Sequence, residues 1–218
     1  MPSTTRRRLD RETVLRAAVA LADEIGIAAM SMRKLGEAVG VEAMSLYNHV
    51  ANKDDLLDGM VDLVFAEISL PEVGEEWKEA MRRRGHSARD VLRRHPWAIG
   101  LLETRTSPGP ATLTHHDAVL GCLRRSGFSI ELAGHAFALL DAYTYGFAMQ
   151  EATLPFDGGD EVADLAEEMV DAMPVEEYPH LVEFATERAM QPGYDFGDEF
   201  GFGLELVLDG LERELGVS

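Results

Sequence analysis

Tyr47, His49 and Lys53 stand close together in the sequence, and each can donate to, or pair with, an anionic oxygen. Ahead of them run Ala43, Met44 and Ser45, with Asn48 between the tyrosine and the histidine and Arg33 one element earlier. These types suit the surface of a nucleic-acid duplex. Phenol, imidazole and ammonium groups grip backbone phosphate, and Ser45 can donate to a base edge or a phosphate. Met44 or Ala43 can meet a thymine methyl, and Arg33 can add a phosphate or base contact. Asn48 is left to either groove or core. The set has no Arg or Gln at its front, so base reading is thin and much of the grip falls on the backbone.

The surrounding spacing predicts two short helices joined by a tight turn. Ser31 caps the first, with Leu35 and Val39 inward. Gly40 makes the turn, and the second helix runs from about Glu42 to near His49. Gly36 and Ala38 are small where the helices cross, and Leu35, Val41 and Leu46 supply a shared core. This is the layout of a helix-turn-helix, whose second helix can lie in a major groove. A supporting helix from Asp10 to about Glu24 carries the stripe Val14, Leu15, Ala18, Leu21 and Ala22. A fourth helix runs from Lys53 to Ile68, with Leu56, Leu57, Met60, Leu63 and Val64 inward. Arg6, Arg7 and Arg8 form an arm that either touches phosphate or the minor groove or is a solvated terminus.

Charge divides the chain. The first 53 residues hold eight Lys or Arg and six Asp or Glu, a net of +2; the remainder holds 12 and 33, a net of −21. DNA repels such a body, so contact must come through the head. The single cysteine, Cys122, cannot form an internal disulfide and reads as a packed small hydrophobe. No signal-peptide core and no run of about 20 apolar residues is present, so a cytoplasmic protein without a membrane partner is expected. Enzymatic chemistry finds no support. His115 and His116 are adjacent and cannot share a helical face. A His-Glu-x-x-His motif, a Gly-rich phosphate loop and a Gly-x-Ser-x-Gly elbow are all missing from the sequence. No metal and no cofactor is expected.

Beyond the head, helical periodicity continues without a convincing strand. Segments are expected at Trp77 to Arg94, at Pro96, at Ala111 to Arg125, from Ser129 to about Thr153, near 161–172 and 176–190, and about 197–215. The fold class is therefore all-α, a three-helix head fused to a larger bundle with about 9–10 helices in total. The expected division is 1–52 for the arm and head and 53–218 for the body, with helix 53–68 connecting them.

The segment from about Thr13 to Phe65 resembles the DNA-binding domain of the TetR family of bacterial transcriptional regulators. The resemblance rests on Ser31, Arg33, Leu35, Gly40-Val41, Leu46-Tyr47, His49-Val50, Lys53 and Leu56. Gly36 stands where the family has Ala, a departure that loosens the helix. By this resemblance, Tyr47, His49 and Lys53 grip phosphates, while Arg33, Ala43, Met44, Ser45 and Asn48 lie at or near bases. Ala43 departs from the polar residue of the tetracycline repressors, so the operator differs. His95-Pro-Trp-Ala98, Tyr145-Gly-Phe147 and Phe200 through Leu211 resemble the body of the tetracycline-repressor branch. Ser69 and Leu101-Leu102 stand where that branch places its magnesium–tetracycline histidines, so a chelated drug is not carried over.

The resemblance implies an Ω-shaped homodimer on double-stranded DNA, with a palindromic operator and a small-molecule effector. In that branch the last long helices form a four-helix interface, which points to Leu204, Val207, Leu208 and Leu211. An effector pocket inside the bundle is placed among Trp97, Leu101, Phe137, Leu140, Tyr143 and Phe147, with His116 or Asp141 as the polar handle. Trp97 and the other aromatics favour an apolar or aromatic effector that releases a repressor. The competing reading is an acidic, all-helical dimeric interaction or structural protein without specific DNA binding.

Overall fold

A computed structural model describes residues 9–102, 104–155 and 160–217. Arg6, Arg7 and Arg8 lie outside the described residues, as does most of the break between Pro155 and Asp160. The described residues form eleven α-helices and no strand. The expected all-α fold is found. They fall on the expected segments, except that a further single turn at Ile99–Leu102 follows the one at Pro96 and the segment near 176–190 is helical over Pro179–Phe184 before a π turn at Ala185–Ala189. None of the described helices is long and apolar enough to cross a membrane.

Local chemistry sets the head. Helix α1 (Arg11–Ile25) starts where the Asp10 carboxylate accepts the Thr13 N–H at 2.8 Å. Helix α2 (Met32–Val39) starts where Ser31 Oγ accepts the Lys34 N–H at 3.3 Å. Gly40 then turns the chain in the left-handed region, at φ 74°. Helix α3 (Ala43–Leu46) is shorter than expected, and Tyr47–His49 form turns rather than more helix. The chain must reverse there, because Asn52 already caps helix α4 (Lys53–Glu67) through the Asp55 N–H at 2.9 Å. Gly36 does not act as a weak point. The Val41 N–H donates to its carbonyl at 2.9 Å, and a Cβ at Gly36 would sit 2.8 Å from the Val41 carbonyl oxygen. The missing methyl lets the turn close onto α2.

Val14, Ala18, Leu35, Leu46, Val50, Leu56, Met60 and Val64 make the head core, which runs on without a seam into Val91, Leu92, Trp97 and Ala98 of the body. The body comprises α5 (Trp77–Arg94), α6 (Ile99–Leu102), α7 (Pro110–Arg125), α8 (Ile130–Thr153), α9 (Asp160–Ala172), α10 (Pro179–Phe184) and α11 (Glu199–Val217). A second core joins α5, α7, α8 and α11 through Met81, Leu123, Phe128, Leu140, Phe200 and Leu204. Val162, Ala166, Ala185 and Ala189 form a small third cluster, after α10 widens into a π turn at Ala185–Ala189.

The face of α11 expected at the dimer contact is packed inward within one chain. Leu204 and Leu208 are 0% exposed within one chain, Leu211 is buried, and Val207 packs against the same core. A helical stripe must face an apolar neighbour, and here α5 and α8 supply it. The outward face carries Phe202 and Leu206 instead, 68% and 56% exposed. Leu204→Ala is therefore expected to lower stability by about 2–5 kcal/mol without changing oligomeric state. Thermal melting and sedimentation velocity on the same sample check both halves.

Candidate nucleic-acid interface

The turn bearing Tyr47 to His49 is held by one ion pair. The Arg11 guanidinium bonds both Asp55 oxygens, at 2.8 and 2.7 Å, and donates to the His49 carbonyl at 3.1 Å. Asp55 also accepts the Ala51 N–H at 2.7 Å. Arg11's hydrogen bond and then the Ala51 N–H hold the Asp55 carboxyl below its ordinary range. A pair this exposed contributes about 1 kcal/mol or less to stability. Its geometric effect is larger, because it locks α1, the turn and the first turn of α4 together. Sequence reading missed both residues. The Asn-x-x-Asp start of α4 resembles a capping box and could have exposed Asp55's local role. Arg11 lies 44 residues away and left no local signal.

All eight predicted contact residues reach the surface of the head. Met44 is 76% exposed; Tyr47, Asn48, Lys53 and Arg33 are exposed; Ala43, Ser45 and His49 are half-buried. Arg33 pairs with Glu37 at 3.0 Å, one turn along α2. The other seven occupy α3, the following turn and the N-terminus of α4, where free N–H groups add to the attraction for phosphate.

Helix α4 ties this surface to the body at several heights. Asp54, Asp58 and Asp62 recur every fourth residue and share one face. Arg105 bonds Asp58 at 2.5 Å and Asp54 at 3.2 Å. Asp62 caps the start of α7, accepting the Ala111 and Thr112 N–H groups at 3.3 and 2.8 Å and the Thr112 hydroxyl at 3.0 Å. At the far end Glu67 pairs with Arg94 at 2.9 Å and faces His95 Nε2 at 3.4 Å. His95 Nδ1 lies 2.8 Å from Asp23 Oδ1 of α1, which also accepts the Trp97 indole N–H at 2.7 Å.

The predicted effector residues are divided between two cores. Trp97 and Leu101 pack with the head, while Phe137, Leu140, Tyr143 and Phe147 belong to the trunk. Tyr143 donates to the Phe200 carbonyl at 2.8 Å, and Asp141 is paired with Arg84 at 2.5 Å. His116 meets Phe65 and Phe137 edge-on, at 5.5 and 5.3 Å. It also lines a hollow of about 150 Å³ with Asp58, Val61, Arg105 and Thr112. A larger hollow, about 460 Å³, lies between Arg89, Arg93, Glu151 and Phe196 and touches none of the eight. Arg84, which sequence reading missed, is buried between α7 and α8. Its Nε donates to His115 Nε2 at 3.0 Å. Burial, then the charge of Arg84 and the neighbouring His116, pushes His115 down to about 3.

Residues 14–60 match the family model described as bacterial regulatory proteins, tetR family, and residues 70–215 match the tetracyclin repressor-like C-terminal domain. An HTH-type transcriptional regulator of Saccharopolyspora erythraea is 37% identical over 69% of this chain, a match spanning 64% of that protein's own length. The HTH-type transcriptional repressor DrrR1 of Streptomyces coeruleorubidus is 31% identical over 94% of this chain and 77% of its own. The crystal structure of the TetR family protein ActR of Streptomyces coelicolor in complex with actinorhodin superposes with a TM-score of 0.78. It is 28% identical and the match covers 96% of this chain and 99% of that one.

Two outcomes are expected. Tyr47→Phe and Lys53→Ala should each weaken binding to every duplex by about tenfold, the loss expected of one phosphate contact, with the oligomeric state unchanged. Fluorescence anisotropy on operator and scrambled DNA checks the binding and sedimentation the oligomeric state, and a loss confined to one sequence would make these residues base readers. The second outcome concerns acid. Unfolded His115 takes up its proton near 6.5 and the folded residue only near 3. Stability is therefore complete above 6.5 and falls as pH drops below it, by at most roughly 1.4 kcal/mol per pH unit. The slope of melting temperature against pH should be shallower in His115→Gln than in the wild type.

Proposed function

The chain belongs to the TetR family of bacterial regulatory proteins and is a DNA-binding transcriptional regulator, and from that premise we propose that it is a repressor released from a palindromic operator by a small apolar or aromatic effector. The carrying observation is the outward row Met44, Tyr47, Asn48 and Lys53, on a head strapped to the body through α4. Family membership sets aside the reading of a helical interaction protein without specific DNA binding. ActR is solved with actinorhodin; what passes to this chain is the class of ligand alone.

Residues 1–52 then serve as the DNA-binding unit and 53–218 as the effector and dimerisation unit. Two copies form an Ω, with their heads about 34–36 Å apart, the spacing of successive major grooves. The exposed Leu139, Phe202 and Leu206 are among the apolar side chains of α8 and α11 available for that contact. An effector that favours a different tilt of α4 changes the head spacing, and DNA weakens effector binding by the same factor. The excess of carboxylates in the trunk keeps it off the phosphates.

A gel shift with the DNA upstream of the protein's own gene, at low salt, tests the regulator reading. Sequence-specific retardation is expected; the absence of binding to that DNA and to any other duplex would refute it. The double substitution Phe202→Glu with Leu206→Glu should keep the helical content, halve the mass in sedimentation and remove specific retardation. An intact dimer would place the interface elsewhere.

A further inference from the structure

The DNA-reading part of the head carries anions as well as donors. Between Ser31 and Asp55 the chain has four carboxylates, Glu37, Glu42, Asp54 and Asp55. Three of them are paired with arginines: Glu37 with Arg33 at 3.0 Å, Asp54 with Arg105 at 3.2 Å and Asp55 with Arg11 at 2.7 Å. Among the described residues, Glu42 finds no such partner. It stands at the N-cap of α3 in extended backbone, at φ −65° and ψ 141°, yet its carboxylate makes no bond to the helix it precedes. Ser31 and Asn52 spend their side chains on capping; Glu42 keeps its own free and exposed.

Its position is fixed by the packing around it. Leu46 and Val50 are buried, which anchors α3 and the turn after it to the head core. The Val41 N–H donates to the Gly36 carbonyl at 2.9 Å, which closes the preceding turn onto α2. Glu42 is thereby held at the leading edge of α3, beside Ala43 and two residues before the exposed Met44. In a helix-turn-helix the leading residues of the second helix meet base edges. An unpaired carboxylate is costly there, because it repels phosphate and must shed water. Only a donor on the DNA offsets that cost. In the major groove the donors are the amino groups of cytosine and adenine, while guanine N7 and O6 and thymine O4 are acceptors. Adenine sets its N7 acceptor beside its amino group, where it repels the second carboxylate oxygen. Cytosine has no acceptor on that edge.

We propose that Glu42 is a specificity-determining residue that accepts a hydrogen bond from the N4 amino group of a cytosine in each operator half-site. This rests on the reading of the head as a DNA-binding unit and names one base within it. The charge acts in two directions. It rewards a cytosine at the contacted position, and it weakens the grip on every duplex that places an acceptor there. A recognition front without Arg or Gln gains discrimination through this penalty.

The test selects duplexes from a random pool with the full chain as wild type, Glu42→Ala and Glu42→Gln, then measures affinities by fluorescence anisotropy. The wild type should enrich a palindrome with a cytosine in each half that becomes degenerate in the Glu42→Ala pool and shifts toward adenine in the Glu42→Gln pool. Replacing that cytosine by thymine should weaken wild-type binding about tenfold and leave Glu42→Ala unaffected. Glu42→Ala should also bind unselected duplex a few-fold more tightly. The gain of Glu42→Ala on unselected DNA and the new preference of Glu42→Gln do not arise from a failure to fold. The same preferred sequence in all three pools would overturn the assignment, as would an equal change of affinity for every duplex; both leave the DNA-binding reading standing. A wild type that enriches no sequence would overturn that reading together with the assignment.

Discussion

Helix α4 must satisfy two cores at once, and the rest of the molecule follows from that constraint. Leu56, Met60 and Val64 are buried in the head core. Asp54, Asp58 and Asp62 are engaged by Arg105 and by the start of α7. A helix held on both sides by directional bonds cannot tilt without carrying both partners. The head is therefore oriented by the body, and no flexible linker intervenes. The exposed pairs among these bonds contribute little stability individually. Their spacing at every turn along α4 is what resists rotation about the helix axis.

The charge asymmetry of the sequence takes a concrete form in the trunk. Cations on α5 are matched to carboxylates on α11 and α8: Lys78 with Asp209 and Glu212, Arg82 with Glu205, and Arg89 with Glu151. These pairs consume the positive charge that could otherwise have bound nucleic acid. The unmatched acidic excess is left to face solvent and any nearby duplex. The cationic groups of the head escape this fate only in part, since Arg11 and Arg33 are paired while Lys53 stays outward.

Local features were legible in the sequence. Asp10, Ser31 and Ser129 cap helices where their side chains permit, and Trp77–Arg94 has the bounds its periodicity implies. The exposed row after Gly40 was legible in part: the inward Leu35 and Leu46 turn Met44 and Tyr47 outward, while Asn48 was open between groove and core in the sequence and is exposed in the fold. Longer-range choices were not. A stripe on α11 says that a face is apolar without naming its partner, and the partner proved to be the chain's own α5 and α8. Trp97 falls in one core and Phe137 and Tyr143 in the other, because shared aromatic character does not encode shared location. Arg84 looked like one charge in a basic run, and nothing local marks it as buried against His115 and Asp141, 31 and 57 residues away.

The two tryptophans belong to different cores. Trp77 packs edge-on against Phe128 at 4.9 Å, deep in the trunk. Trp97 donates its indole N–H to Asp23, across the joint between α1 and the segment after α5. Indole emission responds to a hydrogen-bonded carboxylate, so Trp97 is a native optical reporter of the contact between α1 and the segment after α5.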